Sequence, residues 1–558
     1  MNRSALAFAS LTLAVSFGFH AIWNAYEPWR EYRAVSSAAA TIVAYASVWL
    51  MGRGARGRET LALVDRVTAM IAQRGRWLAV AVTVLGLMFL AFTAKVVLEA
   101  FPNSGDELAF VMQADTYRMG RLYTDAPAHP EFFRLVRYLV KDGKWFSRYQ
   151  AGWPAVMTVF NAVGVPYWLI NPLLGVAAAW AFFVLCRSAV KRNTAIIGVL
   201  ALGTSAFFIL NFASLFSHGL MLLCTILLAL SGRRFLESGA WRYAAAAGLC
   251  VGLIGFSRAF DAIAVAAPFV AALLLTKDRR HGLYYFALGG LPFIVLLGMF
   301  NAGVTGDPLL NPSSWFSSSE PVGQINSKTM GLTAERLFLL QLWTSPVLLP
   351  SFAVAFIVLA RSRKLDFIDW IAPVLFAAFV FYGGDAGQQY GPRYYFAVWP
   401  MMILTILKAL DPVLSGANRQ WSAVAAAAVC THLAFQVGFA VPRLVLEHNV
   451  VSQRQEMYRA VEKAGLKDAV VVISSATGRI RELMARDLVR NGPVIGDEPV
   501  TYALDLGAKN ALLLTLFPGR EIYRYACGHI EKLEVTPDAK YYDCPGTMPD
   551  PIRSRPLP

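Results

Sequence analysis

The chain has 558 residues, of which 56% are hydrophobic and only 16% charged, and its mean hydropathy is +0.48. Soluble domains carry about 25% charged residues, so the composition points away from a soluble globular protein and toward the membrane class. The net charge of +15 sits mostly on arginines between apolar runs, a placement that the positive-inside rule explains and that argues against a nucleic-acid partner.

At the N-terminus, Arg3 and the apolar run from Ala5 to His20 resemble a signal peptide. The run ends in AIWNAYEPW without a small-residue cleavage pattern, so it reads as a retained first span. Spans need roughly 20 apolar residues. The first is expected at about 5–23 and the second at about 35–51. The segment carrying Arg53, Arg56, Arg58, Arg66, Arg74 and Arg76 then reads as a cytoplasmic loop. A third span at about 77–99 runs outward and delivers Asp106 and Glu107 to an extracytoplasmic loop, 101–166. Within that loop 152–165 is too short to span and reads as an interfacial or re-entrant helix.

Further spans are expected at about 167–187, 194–213, 215–231, 242–257, 260–276, 283–301, 336–360, 370–382, 396–411 and 421–441, with a second outer loop at 302–334. The total is thirteen, with the N-terminus inside and the C-terminus outside the inner (plasma) membrane. The tail, 442–558, alternates helical and strand patterns. Helical periodicity in VSQRQEMYRAVEKAGL is followed by a strand at 469–474, a helix at 478–490 and strands at 511–517 and 521–526. The predicted fold is therefore an α-helical polytopic membrane protein with a small C-terminal α/β domain outside the cytoplasm. Three regions follow: 1–76 with two spans and the basic segment, 77–441 as the transmembrane catalytic region, and 442–558 as the periplasmic domain.

Cys186, Cys224, Cys250 and Cys430 lie in apolar runs, where cysteine behaves as a small hydrophobe. Cys527 and Cys544 lie in the polar tail and would suit a disulfide if that tail is outside the cytoplasm.

The chemistry-bearing residues lie at the expected outer joints. Asp106 and Glu107 follow Ser104-Gly105, whose backbone freedom would let the acids approach a substrate. A carboxylate there suits a general base on an acceptor hydroxyl. The loop closes on the aromatic, Pro-containing element Trp145, Tyr149, Trp153 and Pro154, suited to an interface. His218 begins a span in SLFSHG. Arg258 and Asp261, three apart in GFSRAFDA, share a helix face and either pair with each other or bind an anionic lipid head group. Asp385 and Arg393 flank GQQYGPRYYF, where Arg393 among Tyr390, Tyr394 and Tyr395 is the first choice for a donor phosphate. No Walker motif, dinucleotide glycine pattern or paired CxxC occurs, which argues against an ATP-driven pump and against redox chemistry.

The loop SGDELAFVMQADTYRMGRLYTD, closing in SRYQAGWP, resembles the first loop of the membrane-embedded GT-C glycosyltransferases, in their protein mannosyltransferase-like and aminoarabinose-transferase-like (family 39-type) branch. SLFSHG, GFSRAFDA and YGPRYYFAVWP resemble later patterns in bacterial members, so the resemblance covers about 77–441. It implies inverting transfer from a polyprenyl-phosphate sugar to a lipid, glycan or protein acceptor. Asp106 matches the catalytic acid, and Glu107 would support it or join it in holding a divalent metal, Mg or Mn. Arg393, then Arg258, would stabilise the departing phosphate, with Tyr394, His218, Tyr149 and Asp261 around the substrate. Where the branch commonly has Lys-Pro-Pro, this chain has Ala151-Gly152-Trp153-Pro154, and His218 stands where many members place a second acid. The competing readings are a polysaccharide polymerase or ligase, which would use the arginine-bearing loop 382–396, and a lipid-linked-sugar flippase or transporter, which would place charges in mid-span.

Overall fold

A computed structural model of the chain describes residues 46–535, apart from 47, 51, 53, 74, 136, 316–326, 383–388, 416–418 and 475–487. The first expected span, most of the second, most of the helix expected at 478–490 and Asp385 lie outside the described residues.

The basic segment is a helix, not a loop: α1 (Gly54–Gln73). Its charges alternate with Leu61, Leu63, Val64, Val67 and Met70, and it contains no proline. After Gly75 comes α2 (Gly75–Phe92), which continues as a π-helical turn at Thr93–Val97. The acid loop holds α3 (Gly105–Arg118), then β1 (Thr124–Asp125), β2 (Tyr138–Lys141), β3 (Lys144–Ser147) and α4 (Gly152–Ala162). β3 pairs antiparallel with both β1 and β2. The β2–β3 turn is Asp142-Gly143, both with positive φ, as a two-residue hairpin turn requires.

The first full apolar helix after that loop is α5 (Tyr167–Arg187), at the expected boundaries. The span expected at 194–213 is broken into α6 (Arg192–Gly203) and α7 (Ala206–Ala213), bent by 61°. Ser205 causes the break by capping α7, its Oγ accepting from the Phe207 N–H at 3.2 Å. Next come α8 (His218–Ser238), α9 (Trp241–Ser257), α10 (Ala259–Leu275) and α11 (Gly282–Thr305). The span expected at 336–360 is α12 (Ser327–Thr344) and α13 (Leu348–Arg361), bent by 101° around Pro346. The expected loop 302–334 is thus entered by α11 at one end and α12 at the other. α14 (Phe367–Val380) follows, then a 3-10 turn at Arg393–Val398 leading into α15 (Trp399–Leu414). α16 (Arg419–Lys463) runs unbroken for 45 residues through Pro442, so the span expected at 421–441 and the tail's first helix are one element.

The tail contributes β4 (Ala469–Ile473), β5 (Val500–Leu504), α17 (Ala511–Leu516), β6 (Glu521–Ala526) and β7 (His529–Lys532). The strand expected at 511–517 is a helix. A short leucine run has no decisive period. Here Asn510 also turns the chain, its side chain bonding the Leu506 N–H and Asp505.

Among the described residues six helices are long and apolar enough to cross a membrane, and eight if each bent pair is one span. The chain is a multi-pass membrane protein. The remaining expected spans correspond to helices of 14 or 17 residues, or lie outside the described residues. Large apolar side chains stand exposed along α2 and α11, including Trp77, Leu85, Met88, Ile294 and Met299, as lipid contact requires.

The chain divides into two compact units. One comprises 1–95, 168–296 and 317–445; the other comprises 96–167, 297–316 and 446–558. In the first, α9 and α11 pack backbone to backbone. A Cβ on Gly248 would lie 1.9 Å from the Phe286 carbonyl oxygen, and one on Gly289 would lie 2.0 Å from that of Ala245. Small residues permit such contact between helices in lipid. In the second unit the sheet order is β5-β4-β6-β7, with β4 parallel to both neighbours. Val471 and Ile473 pack on one face with Met457 and Val461 of α16; Val470 and Val472 pack on the other with Phe132 and Phe133. A parallel strand covered on both faces reads as a continuous apolar run, as AVVVI does.

Candidate active site

The acid pair occupies the first turn of α3. Ser104 is the N-cap in extended conformation, and its Oγ accepts from the Glu107 N–H at 3.1 Å. Gly105 is therefore the first helical residue and not a flexible approach to substrate. The two acids part company here. Glu107 is buried, with its Oε2 3.2 Å from Ser104 Oγ. This is a capping role, aided by the positive end of the helix dipole.

The Asp106 side chain keeps 18% exposure, and its Oδ1 accepts from Tyr149 Oη at 2.6 Å and from Arg137 Nε at 3.1 Å. Burial, and next the Asp106 charge, raise the Tyr149 pKa well above its ordinary value of 10. Tyr149 therefore remains a proton donor to the carboxylate across the working pH range. Tyr149 is further braced against Phe110 of α3, with ring centroids 4.8 Å apart.

Buried Gln113 ties α3 to the hairpin, donating to Leu122 O at 2.8 Å and accepting from the Ser147 N–H at 2.8 Å. The approach to α3 is held from the tail: Arg459 pairs with Glu99, Arg454 donates to Asn103 O, and Arg490 donates to Pro102 O while standing 4.0 Å over the Phe101 ring. Glu99 and Ala100 have φ of 52° and 51°. Two successive non-glycine residues in the left-handed region carry strain that the surrounding contacts hold in place.

In the other unit, five predicted residues come together. The backbone breaks at Arg258, between α9 and α10, with φ −158° and ψ 84°. Arg258 pairs with Asp261, which is 4% exposed. The Arg258 guanidinium lies 4.7 Å above the Tyr394 ring, and Tyr394 stacks on His218 at 6.1 Å and on Phe379 at 5.4 Å. Arg393, 7% exposed, stands 3.8 Å over Phe216, whose ring meets His218 edge-on at 5.7 Å. Both ring nitrogens of His218 are buried without a hydrogen-bond partner among the described residues.

Arg137 and Arg336 were not expected from the sequence. Arg336 is fully buried, donating to Phe379 O at 3.2 Å and Tyr382 O at 3.3 Å. Its signal was a lone arginine at the edge of an apolar run.

Asp106 and Glu107 do not fit a divalent ion as they stand. A phenol and a guanidinium already share Asp106 Oδ1, and Glu107 is committed to the cap. Among the described residues no group of three or more His, Cys, Asp or Glu side chains converges. Cys527 is disulfide-bonded, Cys186, Cys224, Cys250 and Cys430 are free thiols, and Cys544 lies outside the described residues.

These features define a multi-pass membrane protein with a carboxylate site at a helix N-terminus and a buried cationic and aromatic cluster. No protein-family profile and no curated protein matches the sequence. Solved structures similar to it include ArnT from Cupriavidus metallidurans bound to undecaprenyl phosphate. That likeness has 13% identity and a TM-score of 0.44, covering 78% of this chain and 89% of that one. The archaeal oligosaccharyltransferase AglB from Archaeoglobus fulgidus, in complex with an inhibitory peptide and a dolichol-phosphate, is similar at 10% identity and a TM-score of 0.38, covering 80% and 70%. The arabinofuranosyltransferase AftD from Mycobacteria is similar at 16% identity and a TM-score of 0.39, covering 77% and 32%.

Proposed function

We propose that the chain is a membrane glycosyltransferase of the GT-C kind, moving a sugar with inversion from a polyprenyl-phosphate donor to a hydroxyl or amine acceptor. The reaction faces the extracytoplasmic side of the inner membrane, a reading supported by the arginine-rich segments between spans. The observation that carries the proposal is Asp106: a partly exposed carboxylate at the head of α3, aimed by a protonated phenol and a guanidinium. The resemblance of SGDELAFVMQADTYRMGRLYTD to GT-C first loops adds to it.

Asp106 takes the proton of the acceptor hydroxyl. The acceptor oxygen forms a bond to the anomeric carbon as the bond from that carbon to the phosphate oxygen breaks. Tyr149 and Arg137 are positioning residues: they hold Asp106 in one rotamer, and preorganised geometry of this kind lowers the barrier. Negative charge develops on the departing lipid phosphate, and preformed cationic donors stabilise it in a dry site. Arg393 and Arg258 are the residues assigned to that task, with Tyr394 and His218 beside them and Asp261 holding Arg258.

The test is turnover of radiolabelled polyprenyl-phosphate sugars by the full-length protein in proteoliposomes. Loss of a general base typically costs about 100- to 10,000-fold, and Asp106→Asn is expected to fall in that range. Turnover equal to wild type in Asp106→Asn removes the proposal.

A further inference from the structure

Within the unit that carries Asp106, a cavity of about 260 Å³ lies between the acid-loop segment and the tail. One wall is apolar and aromatic: Phe133, Ile495 and Phe517. Phe133 and Phe517 meet edge to face at 6.2 Å. Phe517 is held in place by Arg520, which stands 5.7 Å over its ring and donates to Thr501 Oγ1 at 2.8 Å and to Gly496 O at 2.6 Å. Gly496 has φ +96°, and a Cβ there would lie 3.1 Å from the Phe517 ring, so this wall depends on a glycine.

The lining also includes Arg121 and Asp125, both exposed. Pairing of β1 with β3 turns Thr124 inward and Asp125 outward. Among the described residues neither the Arg121 nor the Asp125 side chain makes a hydrogen bond or ion pair, although both line one cavity.

A lining with one donor cation and one acceptor anion suits a ligand that can donate and accept at once. A phosphate or a carboxylate could satisfy Arg121 but has no donor for Asp125. A sugar ring meets both demands: its hydroxyls donate to a carboxylate and accept from a guanidinium, while its C–H face rests on an aromatic ring. The volume fits one such ring and not a polyprenyl tail. Small-ligand sites have this form, an apolar wall with a few placed polar groups. Ile495 of the wall also packs on the core beneath α3, with Leu108, Ala109 and Met112, and so links the cavity to the helix that Asp106 begins.

We propose that this cavity binds a sugar unit of a glycan acceptor. The proposal rests on the glycosyltransferase reading for the word acceptor, and on the cavity alone for the sugar. The experiment is saturation-transfer NMR on the full-length protein in detergent with maltotetraose, mannotetraose and chitotetraose, in wild type, Asp125→Asn, Ala128→Trp and Asp106→Asn. Ala128 is exposed on the cavity lining, so tryptophan there fills the space without disturbing the core. One saccharide is expected to bind wild type and Asp106→Asn alike, and at least tenfold more weakly to Asp125→Asn and Ala128→Trp. Binding of none of the three to wild type, or equal binding to wild type and Ala128→Trp, overturns the cavity proposal. Failure of the glycosyltransferase reading shows separately, as unchanged turnover in Asp106→Asn.

Discussion

The two clusters of charge handle the same difficulty in different ways. Asp106 sits where water reaches, and it is aimed by hydrogen bonds from Tyr149 and Arg137 and by the end of a helix. Arg258 and Arg393 sit among rings, with guanidinium groups over Tyr394 and Phe216, and Arg258 also pairs with Asp261. A cation can rest on the negative face of an aromatic ring, whereas a carboxylate has no such partner and needs N–H and O–H donors. In these two clusters the carboxylate is therefore held by N–H and O–H donors, and the guanidinium groups rest in part on aromatic faces.

The largest effect expected is the loss of turnover in Asp106→Asn set out above. It separates a reacting carboxylate from a merely solvated one. Next is Arg258→Leu. Removing one partner of a buried ion pair costs about 3–5 kcal/mol because the other charge is left uncompensated, and Asp261 is 4% exposed. Chemical unfolding of the full-length protein in mixed micelles measures this. Adding Asp261→Asn should restore most of the loss, and a double variant no more stable than Arg258→Leu would refute the pairing account.

Tyr149→Phe removes one hydrogen bond to a charged group, about 1.5–3 kcal/mol, so turnover should fall at least tenfold. If Tyr149 acts on Asp106, as proposed, and not on the substrate that the family resemblance would give it, the fall should appear in kcat with the acceptor KM nearly unchanged; a pure KM effect would assign the phenol to substrate instead. Tyr394→Leu takes the ring from under Arg258, and a half-buried cation–π contact is worth about 1–2 kcal/mol. The expected reading is a raised KM for the lipid donor, with the acceptor KM unmoved.

The smallest effect is pH-dependent. Partial burial, and to a lesser degree Asp115 and Asp497, raise the Glu498 pKa, against a hydrogen bond from the Gly492 backbone that lowers it. A raised carboxyl pKa means that the folded state binds the proton more tightly. The stability this confers is complete below the ordinary glutamate value and is lost as pH rises through the folded value. Glu498→Gln should therefore melt slightly higher than wild type near pH 7, and the gap should close below about pH 4. A gap of the same size at both pH values would assign the effect to packing.

Some of this was legible along the chain and some was not. The apolar run at 167–187 became α5 at the expected boundaries, because a long run without breakers leaves few alternatives. The runs at 194–213 and 336–360 are apolar enough to suggest single spans, yet Ser205 and Pro346 within them mark the bends that the structure shows. The β2–β3 hairpin has its signal in Asp142-Gly143, a turn dipeptide between two short apolar stretches. The spacing of Arg258 and Asp261 left mutual pairing and lipid binding both open; the two do pair, with Arg258 in the break between α9 and α10 and not on a shared helix face. The split between Asp106 and Glu107 did not follow from spacing, because adjacent residues point in different directions once Ser104 starts the helix, and sequence alone does not say where the cap falls.

By itself the sequence determined the class of the molecule. Apolar length and arginine placement are properties of composition, and the bilayer imposes them on any chain of this kind. It also supplied the residue types of both clusters. Only the tertiary structure decided which partners each one has. Arg137 lies 31 residues from Asp106 and Tyr149 lies 43, and neither separation follows a helix or strand period. Their meeting depends on how the three-stranded hairpin sheet folds back on α3, and so on packing among residues that carry no chemistry of their own.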